Sequence, residues 1–258
     1  SLYEALSQAL GTVEDAAGVV EQLRRVKSPL EIEKIAQAAS YTDAGMQAGL
    51  DAVRAGASDN ELVAAMMQAS IAAVGEYVGM EPLVTVGKRT GVPHGTWRRG
   101  RLGDNAPAFL EMSSCHDRYH ASLMRCAWVG EPPVHGRAMM DVCLEALNAS
   151  LEKLKPGNTC ADVHEACQKV IDEAGYTDAF RKRVGYSVGI SFAPDWGEGN
   201  ILHLNKGYDV ELLPGMVFHI PITLRDYAKF TVAVSETAIV TETGWRSLSN
   251  ISRDLVEA

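Results

Sequence analysis

Gly56-Ala-Ser58-Asp-Asn-Glu61-Leu62-Val-Ala-Ala65 and Gly157-Asn-Thr159-Cys-Ala-Asp162-Val163-His-Glu-Ala166 follow one local plan. Laying Gly56 on Gly157 puts Ser58 on Thr159, Leu62 on Val163 and Ala65 on Ala166. Each position has a physical role. The glycine stops one helix, the hydroxyl residue caps the next, and the two apolar residues face a core. The likeness reads either as an internal duplication or as the ordinary resemblance of two capped amphipathic helices.

Upstream, Ser28-Pro29-Leu30-Glu31 is a capping box with proline at the first helical position, predicting a helix that runs to about Arg54. Ser58-Asp59-Asn60-Glu61 is a second capping box, opening a helix through Leu62, Met66 and Ala69. A second helix pair is expected over 136–155 and 159–174, its first member ended by Pro156-Gly157. Apolar runs at 107–112 and 120–129 bracket a tight turn at 115–118 and predict a hairpin, with further strands over 183–192, 216–222 and 230–240. This order predicts an α+β fold, a curved antiparallel sheet with two pseudo-symmetric helix pairs on its outer face. The inner face is then one large concave site. Residues 1–27 read as a linker and the remnant of a preceding domain, and 28–258 as one α+β domain.

The bulk composition narrows the function classes. The chain has 258 residues, 47% hydrophobic and 22% charged, which is ordinary for a globular protein. Its net charge is -9, and the short Arg98, Arg99, Arg101 patch is too small for a nucleic-acid footprint. No run reaches the roughly 18 apolar residues of a membrane span. Five cysteines without a C-x-x-C pair suit reduced thiols in the cytoplasm.

The segment from Leu23 to Ile35, with Leu213-Pro-Gly-Met-Val-Phe218 and Ala238-Ile-Val-Thr-Glu-Thr-Gly244, resembles the pita-bread domain of prolidases, Xaa-Pro aminopeptidases and creatinases. The resemblance implies a preceding N-terminal domain and a homodimer. It also implies a metal pair held by two Asp, one His and two Glu, a donor set suited to Mn, Co or Zn. Arg125 holds the family arginine and fixes the register: the aspartates become Glu111 and Ser122, and the histidine becomes Tyr186. The glutamates fall near Pro221 and at Ser235, with Glu236 beside it. The expectation is no metal and no other cofactor. The chain is most similar to the ectoine-hydrolase branch through Arg118-Tyr119-His120, Gly185-Tyr186-Ser187, Pro194-Asp-Trp-Gly-Glu198, Phe218-His219 and Ser235-Glu236-Thr237.

A metal-free hydrolase needs a nucleophile or base, a proton donor for the leaving nitrogen, and donors for developing charge. Glu111, on the apolar run Phe109-Leu110-Glu111-Met112, is the candidate nucleophile or base, or else a structural ion-pair partner of Arg125. The resemblance implies that His94 shuttles protons; the residues alone allow a plain loop histidine. Tyr186, His219, Glu236, Arg125 and His120 are expected to line the substrate site. Trp196 either gives a cation–π face or simply anchors its loop. His116, His135, His164 and His203 are expected at the surface without partners. The resulting expectation is hydrolysis of a C–N bond in a small zwitterionic compound. A non-catalytic binding module and a metal-dependent Xaa-Pro peptidase are the alternatives.

Overall fold

The computed structural model describes residues 2–11, 13–180, 183–199 and 201–258. Helices α1 (Leu2–Leu10) and α2 (Val19–Arg24) bury no residue. The caps read in the sequence then set the main helices. Ser28 Oγ accepts from the Glu31 amide, and the Glu31 carboxylate accepts from the Ser28 amide, opening α3 (Pro29–Asp51). The same reciprocal pair at Ser58 and Glu61 opens α4 (Asp59–Ala72). After α5 (Val134–Lys153), the pair at Thr159 and Asp162 opens α6 (Cys160–Glu173). Gly56 and Gly157 both lie in the left-handed region, at φ 79 and 86, where a side chain would be strained. The repeat extends to tertiary pairing, because Ser58 bridges Arg101 and Thr159 bridges Glu211, both antiparallel.

Strands β1 (Leu83–Val86), β2 (Ala106–His116) and β3 (Tyr119–Val129) form a sheet with β9 (Val256–Glu257), which runs parallel to β3. Strands β4 (Gly185–Ser187), β5 (His203–Leu204), β6 (Val217–Asp226), β7 (Phe230–Val240) and β8 (Trp245–Ser247) form a second, antiparallel sheet ordered β5-β4-β6-β7-β8. The expected single sheet is therefore two, meeting where β3 faces β7. Side chains close this seam. Thr237 Oγ1 accepts from the Ser122 amide and donates to the Ser122 carbonyl, and Ser235 Oγ accepts from the Met124 amide. The expected strand over 183–192 shrinks to β4. Opposite its start, Pro221 has no N–H with which to continue the ladder beyond the Tyr186–His219 pair.

The hairpin turn between β2 and β3 is Asp117-Arg118, both left-handed at φ 48 and 67. Glu76 compensates by accepting from both amides at 3.0 and 3.3 Å.

Register decides which face each side chain takes. Glu111 pairs with Met124, and Leu110 with Arg125, so Glu111 and Arg125 lie on opposite faces of the first sheet. The outer face, with Leu110, Met112 and Leu123, packs on Met46, Leu62 and Met66 of α3 and α4. In the second sheet Ile220, Ile222 and Val234 pack on Met139, Cys143 and Leu147 of α5. Each such fully buried side chain contributes roughly 1.5–3 kcal/mol. The inner face carries Glu111, Met124, Pro221, Thr223 and Arg225, which line the cleft described next.

Candidate active site

Two lobes of one cleft share His94, Glu111, Arg183 and Tyr186. The first lobe adds Pro93, Met124, Pro221, Thr223, Arg225 and Tyr227. The second adds Met80, Glu81, Leu83, Thr96, Pro194, Asp195 and Trp196. Glu111 stands at their junction, 7% exposed, on a strand whose outer neighbours lock it in place. His94 sits opposite on the loop after Gly91, itself in a left-handed conformation at φ 52.

Behind Tyr186 lies a chain of hydrogen bonds. Trp196 Nε1 donates to Tyr186 Oη at 2.9 Å. The phenol oxygen is 2.9 Å from His219 Nδ1, and His219 Nε2 is 2.8 Å from Ser235 Oγ. Ser235 Oγ accepts from the Met124 amide and shares a second hydrogen bond with His219 Nε2, whose direction follows the His219 tautomer. In the tautomer with the proton on Nδ1, Ser235 donates to Nε2 and His219 donates to Tyr186. The phenol, accepting two bonds in that tautomer, has its own proton to give to a group in the cleft. Burial, and then the nearby Glu111 carboxylate, push Tyr186 well above the usual phenol range. It therefore stays a neutral donor, suited to an oxygen or nitrogen gaining negative charge.

His94, Glu111, Tyr186 and Trp196 thus line the cleft, with His219 one layer behind. Three of the other expectations are corrected. Arg125 and Glu236 are on the outer face, where Arg125 Nη2 donates to Glu236 Oε1 at 2.9 Å. Adjacent residues on a strand point to opposite faces, and the seam takes Ser235 and Thr237 inward, which turns Glu236 out. The ion pair considered for Glu111 and Arg125 does not form. His120 is fully buried and lines neither lobe: its Nδ1 donates to the Arg118 carbonyl, and Nε2 accepts from the Gly79 amide at 3.1 Å. Burial, the larger effect, pulls its pKa down to about 4. Gly79 allows this contact, since a Cβ there would sit 2.0 Å from the Asp195 carbonyl oxygen.

Trp196 is 2% exposed, so it offers a wall and an N–H donor rather than an open ring face for a cation. The four histidines expected alone at the surface also differ. His164 is buried, Tyr41 Oη lies 3.2 Å from His116 Nδ1, His135 lies 3.7 Å from Asp226, and Arg183 meets His203 Nδ1 at 2.6 Å.

Sequence reasoning missed Arg183 and Arg225. Their signal was an arginine at the end of an apolar strand, which by itself looks like a solvated rim. Glu198 carries a role that its sequence context does not signal. Its side chain is buried, accepts from Lys27 Nζ at 2.6 Å and from Arg24 Nη2 at 3.2 Å, and so ties the loop carrying Trp196 to the segment before α3.

The donor set does not fit a dinuclear metal centre. Among the described residues no group of three or more His, Cys, Asp and Glu side chains assembles to hold an ion. On the inner face Glu111 is flanked by Met124, Pro221 and Tyr186, and both His219 nitrogens are hydrogen bonded within the protein. No helix among the described residues is long and apolar enough to cross a membrane.

Comparison with known proteins places this geometry. The Peptidase_M24 model, metallopeptidase family M24, matches residues 33–242. The chain is 31% identical over 253 residues to an ectoine hydrolase of Halomonas elongata, covering 93% of this chain and 62% of that protein. It is 27% identical over 244 residues to an Xaa-Pro dipeptidase of Lactobacillus helveticus, covering 93% and 64%. The X-Pro aminopeptidase structure from Thermotoga maritima superposes with a TM-score of 0.90 at 23% identity, covering all of this chain and 71% of that one. The chain spans less than two thirds of the length of these two curated relatives.

Proposed function

Starting from the fact that this chain belongs to metallopeptidase family M24, we propose that it hydrolyses a carbon–nitrogen bond in a small zwitterionic compound, ectoine-like, without a metal pair. One observation carries the reading. The inner-face position that the family resemblance gives to a metal ligand holds Glu111, in a cleft with His94 and Tyr186, and among the described residues no group of three or more His, Cys, Asp and Glu side chains assembles there to hold an ion.

In this reading the Glu111 carboxylate attacks the electrophilic carbon, or takes a proton from the water that does. A carbon–oxygen bond forms and the carbon–nitrogen bond breaks. His94 delivers a proton to the departing nitrogen, and Tyr186 donates to the heteroatom that gains charge. One water is consumed in all. If Glu111 attacks directly, the water enters in a second step and releases the acyl group from the carboxylate. The same proposal carries a homodimer and a cytoplasmic location, the latter consistent with five buried cysteines outside any disulfide.

The test is product analysis of ectoine and of alanyl-proline incubated with the full-length protein, with EDTA and with added Mn²⁺. Ring-opened product from ectoine, formed equally in EDTA, is expected. Cleavage of alanyl-proline alone, and only with Mn²⁺, overturns the proposal in favour of a peptidase.

A further inference from the structure

Charge is unevenly divided between the two lobes of the cleft. The lobe bounded by β6 holds Arg225 and Arg183 against the single carboxylate of Glu111. The lobe bounded by the Trp196 loop adds Glu81 and Asp195. Glu111 lies where they meet, so the cleft is cationic on one side of the candidate nucleophile and acidic on the other.

Three other arginines in this fold bond to the protein. Arg125 spends its guanidinium on Glu236 and on the carbonyls of Met124, Ser235, Ile251 and Ser252. Arg118 donates to the carbonyls of Tyr77 and Ser191, and Arg89 pairs with Asp59. Arg225 shares an unpartnered buried Nε with Arg25 and Arg118, but of these three it is the one that lines the cleft, and it makes no ion pair among the described residues. A half-buried guanidinium left this way is costly unless something supplies the missing acceptors. Arg183 uses one nitrogen on His203 and lies 4.6 Å over the Tyr186 ring, with no carboxylate partner among the described residues.

We propose that Arg225, assisted by Arg183, is a carboxylate-binding site that orients the substrate, placing its anionic end in the β6 lobe and its cationic end toward Glu81 and Asp195. A guanidinium matches a carboxylate with two parallel N–H bonds, which fixes direction as well as affinity. With the anion held there, the bond to be broken lies at the lobe junction, over Glu111. Burial depresses the Arg225 pKa, while Tyr227 and then Glu111 raise it, as suits a cation that lacks a close anionic partner. This inference rests on the hydrolase reading for the identity of the reacting bond, but the anion site itself does not require that reading.

The carboxylate could belong to a free small molecule or to the C-terminus of a short peptide, and the probes separate these. Binding of ectoine, ectoine carboxamide, alanyl-proline and alanyl-prolinamide to the full-length protein is measured by calorimetry, for wild type, Arg225→Gln and Arg225→Lys. At least one acid is expected to bind more tightly than its amide. Arg225→Gln should weaken that acid roughly 10- to 100-fold, the worth of a charge-assisted bond, and leave the amide unchanged. Arg225→Lys should recover part of the loss, and unchanged thermal unfolding shows that the fold is intact.

An acid preference that depends on Arg225 without turnover of ectoine upholds the anion site and sinks the hydrolase reading. Turnover of ectoine that is unaffected by Arg225→Gln and equal for acid and amide sinks the site and leaves that reading standing. Failure of every acid to outbind its amide also overturns the site.

Discussion

Arg125 and Glu236 form a buried ion pair on the outer side of the seam, Nη2 to Oε1 at 2.9 Å, with neither side chain reaching solvent appreciably. Glu236 also accepts from Arg253 Nε at 3.1 Å and from the Ser247 hydroxyl. Arg125 gathers the carbonyls of Ile251 and Ser252, so the pair pins the C-terminal segment across both sheets. Glu236→Gln leaves the arginine charge buried and uncompensated. It should cost about 3–5 kcal/mol of stability and leave turnover unchanged below the melting transition. Denaturant unfolding with a parallel activity assay checks this, and lost turnover at unchanged stability would put Glu236 back in the chemistry.

Glu111→Gln should lower turnover by about 10²–10⁴-fold while leaving the melting temperature within a degree or two. The amide keeps the shape and removes the charge. Near wild-type turnover in this variant would end the catalytic assignment.

Ser235→Ala removes the acceptor of the Met124 amide and the hydroxyl partner of His219 Nε2. Stability should fall by roughly 1–3 kcal/mol for the orphaned amide. Turnover should fall more than substrate affinity, because Tyr186 is then free to spend its proton on His219. A change in KM with kcat intact would contradict this arrangement.

His120 gives a pH dependence of known sign. Its folded pKa, pulled down to about 4 by burial, lies below the ordinary histidine value. Between the two values the unfolded chain binds the extra proton and the folded chain does not. Stability from this group is therefore complete above about pH 6.5 and drains away as the pH falls toward 4. The slope should approach about 1.4 kcal/mol per pH unit in that window. Unfolding curves from pH 7.5 to 4.5 should show this slope, and His120→Gln should flatten it.

The helices were legible because their signals are local. Ser28 with Glu31 and Ser58 with Glu61 each sit within one turn and form the boxes read in the sequence, and Thr159, read as a cap, is completed to a box by Asp162. Glu111 was legible as an inward carboxylate through the family register. Arg125 and Glu236 were not, because which face a strand residue takes depends on pairing partners far along the chain. Glu111 opposite Met124 settles the parity of Arg125. The division of the sheet was hidden for a related reason: the hydroxyls of Ser235 and Thr237 replace backbone pairing there, and a Ser-Glu-Thr run in an apolar strand does not announce that. Arg225 escaped notice because its missing partner is visible only once the cleft walls are in place.

The seam has a consequence for how the molecule breathes. The Ser122 and Met124 amides are bonded to rotatable hydroxyls, not to the carbonyls of a neighbouring strand. A hydroxyl can swing away without unzipping a ladder, so these two protons can exchange with solvent through small local openings. Cys126, next along the same strand edge, faces the Thr231 carbonyl through its sulfur. Hydrogen exchange along β3 should therefore be fastest in the middle of the molecule rather than at its margins. The two halves of the repeat are held together by a row of latches, each of which can be lifted singly by removing one oxygen atom.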